Sequence, residues 1–259
     1  MNRTRKYLKR IQGKIFKLLK TPSKSYTKET FHELRVEIKK WEALCHLLAF
    51  LTPKFNRKKT IKPIAGLFKQ AGKVREIQIE LDLLQDFFPL RLERYQKKQL
   101  KKLNKQEKKF ARLISQKKLL SDIKDAIKYI KKLLYIVRKR GMVKYTLTQK
   151  KKVKKLIDKP VLNPARIHFL RKRLKRWEYN NKILLKVDRQ SAVFCVPTEI
   201  LGTWHDGQVV EDCLQKVLDA QNTSSVERTE LTNVLAQLNI QNQELLEKVK
   251  VEIANCKFT

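Results

Sequence analysis

Residues His32–Glu42 read HELRVEIKKWE, and His168–Glu178, 136 positions later, read HFLRKRLKRWE. Between the windows 31–42 and 167–178, six residues coincide: His, Leu, Arg, Lys, Trp and Glu. The whole chain holds four histidines and three tryptophans, so one of each in register in both places points to an internal repeat. At about 100° per residue, His32, Arg35 and Lys39 fall within about 60° of one another on a helix, while Leu34, Trp41 and Leu48 point away. His168, Arg171 and Lys175 form the same stripe, with Leu170, Leu174 and Trp177 behind it. Each copy reads as a cationic face held on a rigid helix by an aromatic anchor. One such pattern means little in so basic a chain, and duplication alone also preserves packing residues. The repeated polar identities on one face favour function over packing.

The same periodicity runs outward from the motif. Phe31, Leu34, Ile38, Trp41, Leu44 and Leu48 recur at three- and four-residue steps, and Pro53 ends that helix. A following helix is expected to start at Lys62 or Pro63, with proline in its first turn, and to end at Phe88. Further helices are predicted over 90–114, 121–140 (stopped by Gly141), 145–157, 164–187 (opened by Pro164), 198–220 and 225–255. There is no convincing run of strands, and only six of the 259 residues are glycine. The expected fold class is all-α.

Charge dominates the composition: 61 Lys and Arg against 25 Asp and Glu, a net of +36. Such a surplus repels itself in a compact chain and calls for a polyanionic partner. Nucleic acid, an anionic membrane surface and inorganic phosphate chains all satisfy that demand. The excess lies in residues 1–205; residues 206–259 carry 5 basic and 9 acidic side chains. The lysine-rich stretch 97–155 reads as a solvated helix face. Residues 3–20 hold eight basic side chains and no acid, with Leu8, Ile11, Ile15 and Leu18 on one side. This segment reads as a basic first helix or arm; membrane docking or organellar targeting is the lesser reading. The four cysteines lack CxxC pairing, and the longest apolar run, Ala43–Leu51, is nine residues, too short to span a bilayer. A soluble, cytoplasmic protein is expected.

A second pair of segments supports the repeat. Ala71–Gln85 (AGKVREIQIELDLLQ) and Leu201–Gln215 (LGTWHDGQVVEDCLQ) share Gly, Gln, Asp, Leu and Gln at a spacing of 130. Their glycines, Gly72 and Gly202, suit a close helix approach or a kink. Arg75-Glu76 aligns with His205-Asp206, so each half sets a cationic or protonatable residue before an acid.

In these residues the chain resembles the CHAD family, the conserved-histidine α-helical domain. The family pairs a helix bearing His-x-x-Arg-Val-x-x-Lys/Arg with a following Leu-Gly-x-x-Arg-Asp helix, then repeats both. Matching positions are His32, Arg35, Val36 and Lys39, then Gly72, Arg75 and, conservatively, Glu76. In the second half they are His168, Arg171, Lys175 and Tyr179, then Leu201, Gly202 and Asp206. The resemblance covers residues 24–220. It implies two four-helix bundles related by a pseudo-twofold axis, about 24–145 and 146–220 onward, enclosing a basic cavity that binds inorganic polyphosphate. Residues 1–23 would then be a basic arm or helix, and 221–259 an acidic C-terminal helix packing on the second half. The implied binding set is His32, Arg35, Lys39, Arg75, His168, Arg171, Lys175 and His205. Polyphosphate granules or a polyphosphate-metabolising enzyme are the expected associates. The sequence departs from the family at Glu42 and Glu178, where arginine is usual, and at His205, also usually arginine. Both glutamates lie three residues after the motif lysine, within salt-bridge reach.

Catalytic signatures are missing from the sequence: no P-loop, no dinucleotide-binding glycine turn, no HExxH. Cys45-His46 lacks zinc-ligand spacing, and Glu76-x-x-x-Glu80 reads as a salt-bridging face beside Arg75. A non-enzymatic binding module without cofactor or metal is expected. The alternative is a nucleic-acid-binding protein acting through a diffuse basic surface, since phosphate contacts supply most non-specific affinity.

Overall fold

The computed structural model describes residues 2–88, 91–158, 163–184, 198–220 and 224–255. These form nine α-helices and no strand: α1 (Asn2–Lys20), α2 (Lys28–Leu51), α3 (Arg57–Phe87), α4 (Glu93–Ile114), α5 (Lys117–Leu133), α6 (Lys139–Ile157), α7 (Pro164–Leu184), α8 (Ile200–Asp219) and α9 (Ser225–Ala254). The all-α expectation holds. The chain divides into two compact units, each built from three separated segments. The first comprises Met1–Gly72, Lys108–Lys159 and Lys172–Phe194; the second comprises Lys73–Glu107, Pro160–Arg171 and Cys195–Thr259.

The core of the first unit is organised by α2. Thr27 caps it with a capping box: its hydroxyl accepts from the Thr30 amide while its own amide donates to Thr30 Oγ1, both at 3.3 Å. Phe31, Leu34, Ile38, Trp41, Leu44 and Leu48 are all buried, as the apolar stripe requires. Phe31 meets Tyr26 and Phe110 with ring centroids 5.0 to 5.2 Å apart. Helix α1 packs on α2 through Leu8, Ile11 and Ile15, each fully buried. Burying three such side chains is worth roughly 1.5–3 kcal/mol apiece, so the N-terminal segment is an integral helix whose apolar stripe faces protein. Glu37, also buried, receives a 2.6 Å bond from Lys40 and pairs with Lys14 of α1 at 3.7 Å.

The second unit has its own core. Val210, Leu214 and Leu218 of α8 pack with Leu231, Val234 and Leu238 of α9, and Leu84, Phe88, Leu92 and Tyr95 complete the cluster. The acidic C-terminal helix therefore packs on α8. Its start is capped by Ser224, whose hydroxyl accepts from the Glu227 amide at 3.3 Å.

Several expectations from the sequence are corrected. Helix α3 starts five residues before Lys62, because Asn56 Oδ1 accepts from the Lys59 amide (2.9 Å) and acts as the N-cap; Pro63 lies inside the helix. Gly141 does not stop a helix. The break falls earlier, after a 3-10 turn at Leu134–Ile136, and Gly141 sits within α6. A Cβ there would come 2.8 Å from Leu51 Cδ2, so glycine serves the contact between α6 and α2. Gly202 is not at a close approach, since a Cβ there meets nothing within 4 Å. Gly207 is: its Cβ would run into the Asn242 side chain of α9 at 2.0 Å. Pro164 opens α7 as expected, with Asn163 Oδ1 accepting from the Arg166 amide at 2.9 Å.

Candidate functional site

The eight residues of the predicted set divide between the units. His32, Arg35, Lys39 and Lys175 belong to the first, and Arg75, His168, Arg171 and His205 to the second. His32 is exposed and the other seven are half-buried. That intermediate position suits recognition, because a partly desolvated cation interacts more strongly than one in bulk water yet stays reachable.

In the first unit, Arg35, Lys39, Glu42 and His46 follow one another along one face of α2 at steps of four, three and four. The Arg35 guanidinium lies over the Phe68 ring, 4.5 Å from its centroid, and its Nη1 donates to the Phe68 carbonyl at 3.2 Å. Stacking plus hydrogen bond fixes the plane of the fork. One turn beyond Glu42, Arg57 Nη1 reaches the His46 ring, 2.6 Å from Nε2 and 2.9 Å from Nδ1. An arginine only donates, so His46 must offer a lone pair. Its pKa is driven down to about 3, first by burial and then by Arg176, Arg57 and Arg173.

Arg57 of α3 and Arg173 and Arg176 of α7 thus gather around the end of the α2 stripe, and none of them belongs to the His–Arg–Lys stripe of the repeated motif. Burial pushes the Arg176 pKa down; Tyr145 and Glu42 oppose that, and Arg173 and Arg57 add to it. Two like unit charges 4 Å apart repel by about 4 kcal/mol at an effective dielectric near 20. A group of guanidinium ions in a half-buried place is thus primed for an anion. Glu42 is the carboxylate among them. Burial raises its pKa, and Lys39, Arg176, Arg57 and Arg35 pull it back, in that order. Lys175 instead donates to Glu178 at 2.9 Å on an exposed surface, the i,i+3 pair the sequence suggests.

In the second unit, the His168 and His205 rings lie with centroids 4.6 Å apart and planes tilted by 45°. The second copy of the motif and helix α8 therefore meet through their two histidines. Glu80 departs from expectation. It is buried and not on a salt-bridging face: it accepts from the Tyr95 hydroxyl, to which Gln99 Nε2 donates at 2.7 Å. Burial raises the Glu80 pKa, against the Tyr95 hydrogen bond and Lys102. This is a core polar network. Among the described residues no group of three or more His, Cys, Asp or Glu could hold a metal ion, and no helix is long and apolar enough to cross a membrane.

Arg57, Arg173 and Arg176 escape sequence reasoning because they converge from two helices onto a third. The available signal is weak: Arg173 and Arg176 lie inside the second motif window but off its His168–Arg171–Lys175 stripe.

Helical units carrying half-buried basic faces, with one motif written on two of the helices, define a class of all-α proteins. The CHAD domain family model matches residues 5–215, and the chain belongs to that family. It is also similar to the crystal structure of the CHAD domain from the plant Ricinus communis, with a TM-score of 0.71 at 15% identity over 97% of this chain and 89% of that one. That likeness is one of fold. No curated protein matches the sequence.

Proposed function

We propose that this protein is a non-enzymatic binding module for inorganic polyphosphate. The observation that carries the reading is the concentration of half-buried basic side chains in both units: Arg35, Lys39, Arg57, Arg173 and Arg176 in the first, and the His168–His205 pair with Arg75 and Arg171 in the second. The reading includes the pseudo-twofold arrangement of helical bundles around a basic cavity that the repeat and the family suggest. His32, Arg35, Lys39, Arg75, His168, Arg171, Lys175 and His205 are its proposed ligand set, extended by Arg57, Arg173 and Arg176. Arginines would engage phosphate oxygens bidentately, and lysines would add point charge. A polymer meets these groups in succession, so affinity rises with chain length until the sites are spanned.

Three buried tryptophans favour phosphate over bases as the recognised feature. Trp41, Trp177 and Trp204 are 0 to 3% exposed, so they anchor the helices and offer no face for stacking. The lysines of α4, exposed at 97, 98, 101, 102, 105, 108 and 109, remain a diffuse surface that either polyanion could use.

The test is competition for labelled long-chain polyphosphate at near-physiological salt, with single-stranded DNA, duplex DNA and short phosphates as competitors. An Arg35→Ala, Arg171→Ala double variant runs beside it. Hydrogen bonds to charged groups contribute about 1.5–3 kcal/mol each, so the double variant is expected to bind roughly a hundredfold more weakly or worse. Removing two lysines from 97–155 should cost far less. Equal losses, with DNA competing as well as polyphosphate, would overturn the reading in favour of a diffuse nucleic-acid-binding surface.

A further inference from the structure

We propose that Glu42 is a tethered counterion for the α2 cationic face, and that an anionic ligand must displace it to bind. The inference deepens the polyphosphate reading and rests on it for the identity of the ligand. The geometry is that of one short carboxylate set on a basic helix face, among arginines of neighbouring helices. Arg35 and Lys39 precede it on α2 by seven and three residues, and His46 follows by four, so all share its face. Arg57 of α3, fixed by its contact with the His46 ring at 2.6 Å, closes one end. Arg176 and Arg173 approach from α7, and Tyr145 of α6 stands beside Arg176. Cys45 neighbours Glu42 on α2; burial holds it as a neutral thiol.

Within this set Glu42 balances part of a charge that would otherwise be mutually repulsive. A phosphate chain carries several charges where Glu42 carries one, so it can replace the carboxylate and engage more of the cations. The replacement leaves the carboxylate beside an anion, which favours its protonated form. Binding should therefore take up a proton at Glu42, and affinity should rise as pH falls into the carboxylate range. Burial already holds the Glu42 pKa above its ordinary value, which moves that response toward neutrality. Glu178 is the internal control. It occupies the same motif position, but is exposed and accepts from Lys175 at 2.9 Å.

The experiment compares wild type, Glu42→Gln and Glu178→Gln for binding to long-chain polyphosphate and to single-stranded DNA, from about pH 5 to pH 8, over a range of salt. Circular dichroism confirms that each variant is folded. Glu42→Gln is expected to bind polyphosphate several-fold more tightly at pH 7.5, with a salt slope steeper by about one counterion. Its advantage over wild type should shrink on acidification, as wild-type Glu42 is neutralised; histidine titration is common to both proteins and cancels in the ratio. Glu178→Gln should stay within about twofold of wild type, as expected of an exposed pair. Equal or weaker binding by Glu42→Gln would overturn the proposal and show that Glu42 orients the cations, leaving the polyphosphate reading intact. Tighter binding of DNA but not polyphosphate would keep the counterion and overturn the ligand. If wild type and Glu42→Gln bind neither polyanion, both readings fall.

Discussion

The two copies of the motif share six of twelve residues and yet end in different electrostatic states. In the first, Glu42 is half-buried among Lys39, Arg176, Arg57 and Arg35, and burial lifts its pKa. In the second, Glu178 lies in solvent against Lys175. The copies also invert one charge. Glu37 of the first corresponds to Arg173 of the second, 136 residues on. Glu37 is buried and pairs through Oε1 with Lys40 and with Lys14 of α1, whereas Arg173 joins the cations that depress His46. The copies also divide differently between the units: the first lies wholly in the first unit, while the second has His168 and Arg171 in one unit and Lys175 and Glu178 in the other. A repeated sequence specifies a repeated helix face. The chemistry of that face is then set by what other helices bring to it.

The largest effect is expected where that difference is buried. Glu37→Ala removes the partner of Lys40 and the contact with Lys14, and leaves a lysine ammonium that is 16% exposed without its carboxylate. Breaking a buried pair from one side typically costs about 3–5 kcal/mol. Partial access for Lys40 and exposure of Lys14 place this case at roughly 2–3 kcal/mol. Denaturant unfolding at pH 7 would show it as a shift in midpoint. A change below about 0.5 kcal/mol would mean that the pair is solvated in solution and that the copies are equivalent there.

Much of this was legible in the sequence, and the part that was not has definite causes. The stripe Phe31–Leu34–Ile38–Trp41–Leu44–Leu48 is a local pattern with a local cause, and every member is buried. Pro164 announces the start of α7 because its missing N–H costs nothing there. Gly141 misleads, because the same residue that ends helices also lets two helices approach, and only the neighbouring Leu51 reveals which. Pro63 misleads in the same way: its first-turn preference points to a helix start, but Asn56 already caps the helix upstream. At the site, the motif cations were legible from their repetition. Arg57 and Arg176 were not, because no spacing along the chain connects them to His46. Glu80 read as surface charge because its partner Tyr95 lies on the next helix.

A smaller effect should separate His46 from its surroundings by pH. The folded His46 pKa lies near 3 against an ordinary value of 6.5. Between those values the unfolded chain binds a proton at His46 that the native state refuses, so native stability falls as pH drops from about 6.5 toward 3. His46→Gln keeps an acceptor for Arg57 and removes the titration. The variant should resemble wild type above pH 7 and gain on it steadily between pH 6 and pH 4, as measured by unfolding midpoints. A constant difference across that range would show that the imidazole is solvated, and that the three arginines do not press upon it.

The smallest effect belongs to the second copy. Lys175 and Glu178 form an i,i+3 pair, with side chains 27% and 49% exposed. Coulomb attraction at such a site is weakened by water and offset by the entropy of holding two long side chains together, so exposed pairs of this kind contribute about 0.2–1 kcal/mol. Glu178→Gln retains a hydrogen-bond acceptor and the helix propensity of the position. Its expected cost is at most about 0.5 kcal/mol, and that cost should vanish in 1 M salt, where screening acts within about 3 Å. Unfolding midpoints with and without salt provide the measurement. A loss above about 1 kcal/mol that survives high salt would mean that Glu178 is held as firmly as Glu42. The contrast between a screened surface pair and a carboxylate embedded among arginines would then collapse, and both glutamates would have to be read as structural fixtures of the repeated helix.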